Sequence, residues 1–204
     1  MNKMTRSCVA ISFDTAIFND LKHYLKSDEI ELKIIEPPEF LNITESSSDT
    51  TFINLVTKDF GLREQISEHM TKLKCNRFSF IHKTACVDGA TIDSGCFVYP
   101  NVTVYPNATI KQDVIIQANS RISHNVKIQN GVFIGGLVNI SGSSSIGKFA
   151  KLYPSCNVTD KVSVSDHTTI GTGTTLRKNV TESGTYSKLS DKLKKIPRPQ
   201  EKKT

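Results

Sequence analysis

The chain has 204 residues, 37% of them hydrophobic and 23% charged, enough for one ample domain or two small ones in a globular protein. Its net charge of +6 does not describe a nucleic-acid-binding surface. From Tyr186 to Thr204 seven Lys/Arg stand against two Asp/Glu, so this stretch carries +5 and the rest of the chain is close to neutral at +1. Such a basic run reads as a solvated end, and no nucleic acid is expected as a partner.

Five cysteines (Cys8, Cys75, Cys86, Cys96 and Cys156) are an odd number and form no CxxC pair, which argues against a disulfide framework and against structural zinc. The opening "MNKMTRSCVAISFD" has no apolar run of signal-peptide length, and no segment reaches about 18 apolar residues. A cytoplasmic protein without a membrane partner is expected.

In chain order, residues 1–78 read as a small α/β unit. "CVAIS", "IELKII" and "TFINLV" are short β-branched runs. Between the first two, Ile17, Leu21, Tyr24 and Leu25 share one helical face. After the third, Leu62, Ile66, Met70 and Leu73 do the same. This order predicts an abbreviated Rossmann-like domain with a parallel sheet of about three strands.

From residue 79 to 182 the period changes. Every sixth residue from Ile92 to Leu176 is Ile, Leu or Val, fifteen in succession, and two residues before each stands a mostly small side chain such as Ala90, Cys96 or Ser120. Neither a helix nor an amphipathic strand repeats at six. A hexad describes one flat side of a triangular coil; three sides close a turn, and successive turns stack through parallel ladder hydrogen bonds. The aliphatic residue points into the prism, and fifteen hexads predict about five coils. Residues 183–204 form the basic tail.

The motifs narrow this reading. "SFIHKTACVDGATIDSGCFVYPNVTVYPNATI" resembles the opening coils of the NeuD/PglD group of hexapeptide-repeat acetyltransferases, which act on sialic acids and nucleotide-linked amino sugars. "LVTKDFGLREQISEHM" is similar to the helix before those coils, "SRISHNVKIQNGVFIGG" to the stretch holding the group's catalytic histidine, and "GTGTTLRKNV" to its closing coil. The resemblance covers most of residues 50–182. It implies a left-handed parallel β-helix, a homotrimer, acetyl-CoA as co-substrate and a sugar acceptor held by the N-terminal domain. Handedness comes from the resemblance and not from the period, because left-handed crossovers are otherwise rare.

By the same register the catalytic histidine falls on His124. The residues agree independently: His124 lies two past the inward Ile122, so its side chain leaves the prism at a corner. The five histidines show no metal-ligand spacing, so no metal is expected and the zinc-dependent use of this fold is disfavoured. An imidazole titrating near neutrality suits proton abstraction from an amine or hydroxyl, and the oxyanion formed on the thioester needs a fixed donor. One coil beyond His124 stands Gly142, whose N–H is the expected donor. Register also implies a cofactor cleft lined by Phe133, Pro154 and Thr172, kept open by Gly171 and Gly173, with Arg177 and Lys178 toward the CoA phosphates.

Three positions depart from the group. Asn125 stands where Asp or Glu normally follows the histidine; it orients the ring without bringing charge. Phe133 replaces a second histidine nine positions on. The turn after the first strand, "SFDTAIFND", has no glycine to let a backbone cradle a pyrophosphate. The expected acceptor contacts are therefore polar groups at strand ends, Ser12, Asp14, Glu36, Thr57 and Lys58, which favour a free or sialic-acid-like sugar. Two rival readings stand beside this one: a catalytically decayed β-helix scaffold or ligand-binding module, and the same enzyme with a longer acyl donor.

Overall fold

The structure is a computed structural model that describes residues 6–25, 30–187 and 194–196. Most of the basic tail lies outside the described residues. The N-terminal part is built from β1 (Arg6–Ile11), α1 (Thr15–Tyr24), β2 (Ile30–Ile35), α2 (Pro37–Leu41), β3 (Thr50–Asn54), α3 (Phe60–Lys72) and β4 (Asn76–Arg77). The sheet is wholly parallel in the order β2-β1-β3-β4. It has one strand more than the β-branched runs predict, because β4 is two polar residues long. The short α2 was also hidden: its "PPEFL" offers a proline start but too few residues for a period. Both predicted apolar helix faces turn inward, with Ile17 and Leu21 buried on α1 and Ile66 and Met70 on α3.

From residue 80 the chain winds into a left-handed parallel β-helix of about six turns. Two-residue strands recur every six residues from Thr91–Ile92 to Thr175–Leu176 and pair with the residue eighteen away, as in Ile116 with Ile134 and Ile122 with Ile140. They form three faces. Face one contains Phe97–Val98, Ile115–Ile116, Phe133–Ile134, Lys151–Leu152 and Thr169–Ile170; face two runs from Thr103–Val104 to Thr175–Leu176; face three runs from Thr91–Ile92 to Ser163–Val164. Face one is extended by Phe80–Ile81 below and Thr185–Ser187 above, which adds the turn beyond the predicted five. The inward aliphatics and the small residues two before them fill one continuous core.

A second periodicity explains the corners. Every sixth residue from 89 to 173 has φ between +52° and +83°, and nine of these fifteen are Gly, Asn or Asp, the residues that adopt the left-handed region most readily. Asn125, at +57°, is one of them.

The outward residues decide where the sheet docks. In the first three coils of face one they are Phe97, Ile115 and Phe133, all buried, before the face changes to Lys151 and Thr169; on the other faces they are Thr, Asn, Ser, Arg and Lys. Phe97, Tyr99, Ile115 and Phe133 join Cys8, Ala10, Ile17, Leu21, Ile53 and Leu55 in one apolar cluster. The Tyr99 hydroxyl donates to Asp20 Oδ2 at 3.0 Å, which satisfies its one polar atom inside that contact. Among the described residues, no helix is long and apolar enough to cross a membrane.

Candidate active site

The hexad places His124 between a face-two strand (Arg121–Ile122) and a face-three strand (Lys127–Ile128). Its side chain is exposed, while Ile122 and Val126 on either side are buried. The Asn125 side-chain amide lies 3.1 Å from His124 Nδ1. Either end of an amide can occupy that place, the nitrogen donating to a bare Nδ1 or the oxygen accepting from Nδ1–H. The second arrangement leaves the Nε2 lone pair facing outward as a base.

Eighteen residues on, the ring packs over Gly142 of the next coil. A methyl group on Gly142 would stand 2.7 Å from His124 Cε1 and 2.8 Å from Nε2, so only glycine lets the imidazole lie there. The backbone N–H at this register is not part of the coil ladder. Proline occupies the equivalent place at 100, 106 and 154, and among the described residues the Gly142 N–H has no hydrogen-bond partner. A bare donor and an outward imidazole thus share one corner.

The other residues implied for the cofactor divide between two corners. Arg177 and Lys178 stand exposed above His124, Lys178 three coils along its stack. Pro154, Thr172 and Gly173 lie instead between faces one and two. Thr172 and Gly173 are exposed, and a side chain on Gly173 would meet nothing within 4 Å. Gly171 does not keep this corner open. A methyl there would fall 2.7 Å from Ser187 Oγ, because the strand Thr185–Ser187 covers it. Phe133 lines no open cleft either: it is 7% exposed, with the Phe60 ring edge-on at 6.4 Å. The docking of the sheet on face one accounts for its aromatic side chain. In a single copy, face two separates His124 from Pro154 and Thr172.

Of the strand-end residues, Ser12, Asp14, Thr57 and Lys58 come together around a pocket of about 100 Å³. It opens between β1 and β3, where the order β2-β1-β3-β4 reverses the direction of the connections. Glu36 is not there. It follows the edge strand β2 and stands exposed before α2. Asp14 proves to be the N-cap of α1, accepting from Ala16 N–H at 3.0 Å, and it pairs with Lys58 Nζ at 3.2 Å. Burial pushes its carboxyl pKa up, but the Ala16 hydrogen bond and Lys58 outweigh this and leave it lowered. Ser12 Oγ accepts from Asp14 N–H at 2.9 Å, so this turn bonds part of its own backbone.

Beside the pocket runs a groove of about 800 Å³ that the sequence did not disclose. Its aromatic walls are Phe60, Tyr153 and Phe149, its charged groups are Lys58, Glu64 and Lys151, and His167 lines it too. His167 stacks on Phe149 with centroids 6.0 Å apart and holds Nδ1 3.7 Å from Glu64 Oε2. The available signal was the switch on face one from outward Phe97, Ile115 and Phe133 to Lys151. It marks where cover gives way to an opening. Among the described residues no group of three His, Cys, Asp or Glu side chains is placed to hold a metal.

Fold and site together define a hexapeptide-repeat β-helix protein with a parallel α/β sheet docked on one face. The GMPPB C-terminal domain family matches residues 80–189, more than half of the chain, and the chain belongs to that family. No curated protein sequence matches it. Among solved structures it is similar to the acetyltransferase domain of PglB from Neisseria gonorrhoeae, with TM-score 0.80 and 18% identity over 94% of this chain and 100% of that one. The same domain in complex with acetyl coenzyme A gives a TM-score of 0.79. PerB from Caulobacter crescentus, in complex with CoA and GDP-perosamine, gives 0.78 with 16% identity over 91% of this chain and 96% of that one.

Proposed function

We propose that the protein transfers an acetyl group from acetyl-CoA to an amino or hydroxyl group of a sugar, as a homotrimer in the cytoplasm, with His124 as general base. The observation that carries this reading is the His124–Gly142 corner. Nε2 of His124 takes the proton of the acceptor amine or hydroxyl as that group attacks the thioester carbonyl. The Gly142 N–H, unused by the coil, donates to the oxyanion that forms. Collapse of the tetrahedral intermediate breaks the C–S bond, and the imidazolium returns its proton to the departing CoA thiolate. Asn125 holds the ring through Nδ1. The similar structures that carry acetyl-CoA, CoA or GDP-perosamine support the class of reaction.

A second copy completes the cleft in this reading. The His124 corner of one protomer faces the Pro154–Thr172–Gly173 corner of the next, with Arg177 and Lys178 toward the CoA phosphates. The acceptor sugar lies in the groove against Phe60 and Tyr153, with Lys58 and Glu64 for its polar groups and Thr57 reached from the adjoining pocket. A free sugar, sialic-acid-like sugars included, suits the site better than a nucleotide-linked one. The switch-point pocket is smaller than the roughly 300–1,000 Å³ of ordinary ligand sites, and the Asp14 carboxylate that lines it would repel a pyrophosphate. The decayed-scaffold reading rested on Asn125 and Phe133; Phe133 has a packing reason, and Asn125 suits its left-handed turn.

The test is CoA release from acetyl-CoA with a panel of free amino sugars and their UDP-linked forms, alongside titration with UDP. Release with a free sugar and weak or absent UDP binding is the expected result. No release with any acceptor would remove the acetyltransferase reading, and UDP binding in the micromolar range or tighter would remove the preference for free sugars.

A further inference from the structure

The loop between β3 and α3 is the wall shared by the switch-point pocket and the groove, with Lys58 lining both. Its backbone is gripped from two directions. Arg63 of α3 is fully buried, on the same helical face as Ile66 and Met70. Its Nη1 donates to Asn54 O and Val56 O, each at 2.9 Å, at the start of the loop. Its Nε donates to Gly131 O at 3.0 Å, and Nη2 donates to Asp113 O. Positions 113 and 131 are left-handed turns one coil apart, so a single guanidinium ties the end of β3 to two successive coils.

From the opposite side Lys151, on face one, donates Nζ to Thr57 O at 3.0 Å. The ammonium lies 4.8 Å from the ring centroids of both Phe60 and Tyr153 and 5.9 Å from that of Phe133. An aromatic box of this kind holds a cation in place. The arginine reaches from the sheet into the coil, and the lysine from the coil into the sheet.

Such a grip is costly, because a buried charge must be fully hydrogen-bonded to be tolerated. Among the described residues no carboxylate is bonded directly to Arg63; the Asp113 carboxylate is taken by Arg77 Nε, 3.1 Å from both oxygens. Burial lowers the Arg63 pKa to about 10, against the pull of Asp113, and the guanidinium stays charged near neutrality. Packing alone would hold the two halves together through the apolar cluster on face one. What the cations add is specific: they fix the carbonyls of one loop.

We propose that Arg63 and Lys151 are positioning residues that lock the β3–α3 loop before any ligand arrives, so that the acceptor meets a wall already in place. The word acceptor rests on the acetyltransferase reading above; the locking itself does not. A preorganised wall lowers the ordering cost of binding at that wall and leaves binding elsewhere untouched.

The experiment compares wild type, Lys151→Met and Lys151→Arg as full-length proteins. Methionine keeps an apolar stem in the aromatic box and removes the donor, whereas arginine restores it. Amide hydrogen exchange at residues 56–60 in Lys151→Met is expected to rise at least about tenfold, with amides of residues 121–128 unchanged. With the amino sugar that the wild type uses, the KM for the sugar should rise about tenfold while the KM for acetyl-CoA stays constant. Lys151→Arg should restore both. Arg63→Lys, read by the same two measurements, should act in the same direction and stands in if Lys151→Met does not fold.

Unchanged loop exchange overturns the lock. A loosened loop with both KM values unmoved, or moved together, overturns the positioning role. Absence of acetyl transfer by the wild type defeats the preceding functional reading only, since the exchange measurement needs no turnover.

Discussion

The coil repeats one environment fifteen times, whereas the sheet docked on it uses each residue once. In the coil a residue meets its equivalents eighteen positions away, so one rule fixes inward aliphatics, small corners and left-handed turns along the whole prism. In the sheet region Arg63 has no counterpart. It satisfies four carbonyls in three separate segments at once, and no repeat announces it. A periodic structure spreads its information evenly, while an aperiodic one concentrates it in a few residues that do several jobs.

The largest effect expected from this contrast is in the coil core. Ile134 is fully buried, and Ile134→Ala should cost about 2–5 kcal/mol in chemical denaturation. Its ladder neighbour Ile116 sits in the same environment, and Ile116→Ala should cost nearly the same. Clearly different losses at the two positions would break the equivalence of the coils.

The left-handed corners sharpen the comparison. Gly131 and Gly173 have the same φ of +68°, but a methyl on Gly131 would stand 2.1 Å from Phe149 Cε1 and one on Gly173 would meet nothing within 4 Å. Asparagine serves at this register elsewhere in the coil. Gly131→Asn should therefore destabilise by roughly 1–3 kcal/mol through overpacking. Gly173→Asn should lie within about 0.5 kcal/mol of wild type. Equal losses at both would mean that φ, and not the neighbour, sets the cost.

Smaller changes are expected at the site. Asn125→Asp places a carboxylate at Nδ1, which favours imidazolium and raises ring basicity. The acetyl-transfer rate near neutral pH should rise, and the acidic limb of the pH–rate profile should move to higher pH. A profile unmoved by the change would mean that residue 125 does not act on the ring. In the sheet, the lowered carboxyl pKa of Asp14 contributes stability that is complete above the unfolded value of about 3.9 and is lost as pH falls through the folded value. Asp14→Asn should thus narrow its gap to wild type below about pH 4 and keep it constant above about pH 5. A gap that does not depend on pH would show that capping by the amide replaces the charge effect.

The same contrast governs what was legible beforehand. The coil, its inward residues and the outward placement of His124 follow from the period, as does the stacking of Gly142 on the same corner one coil on. The hexad period yields five turns and not six because Phe80–Ile81 and Thr185–Ser187 pair out of the eighteen-residue step, at offsets of seventeen and sixteen. Family register puts Phe133 at the cofactor, while its outward neighbours Phe97 and Ile115 mark a covered face. Glu36 falls with Ser12 and Asp14 only when strand ends are taken without strand order; β2 is the edge, so its loop lies outside the switch point. The groove escaped notice because its walls come from α3, two coils and the closing strand. Arg63 left one trace, a charged residue on the apolar face of α3.

Acetyl transfer by His124→Ala tests the central claim most directly. The side chain points out of the prism and makes no core contact, so the variant should keep the oligomeric state and Tm of the wild type. Release of CoA from acetyl-CoA in the presence of the acceptor sugar should fall by at least about a hundredfold. Turnover equal to wild type in a folded His124→Ala protein would contradict the account, because no proton would then pass through this corner.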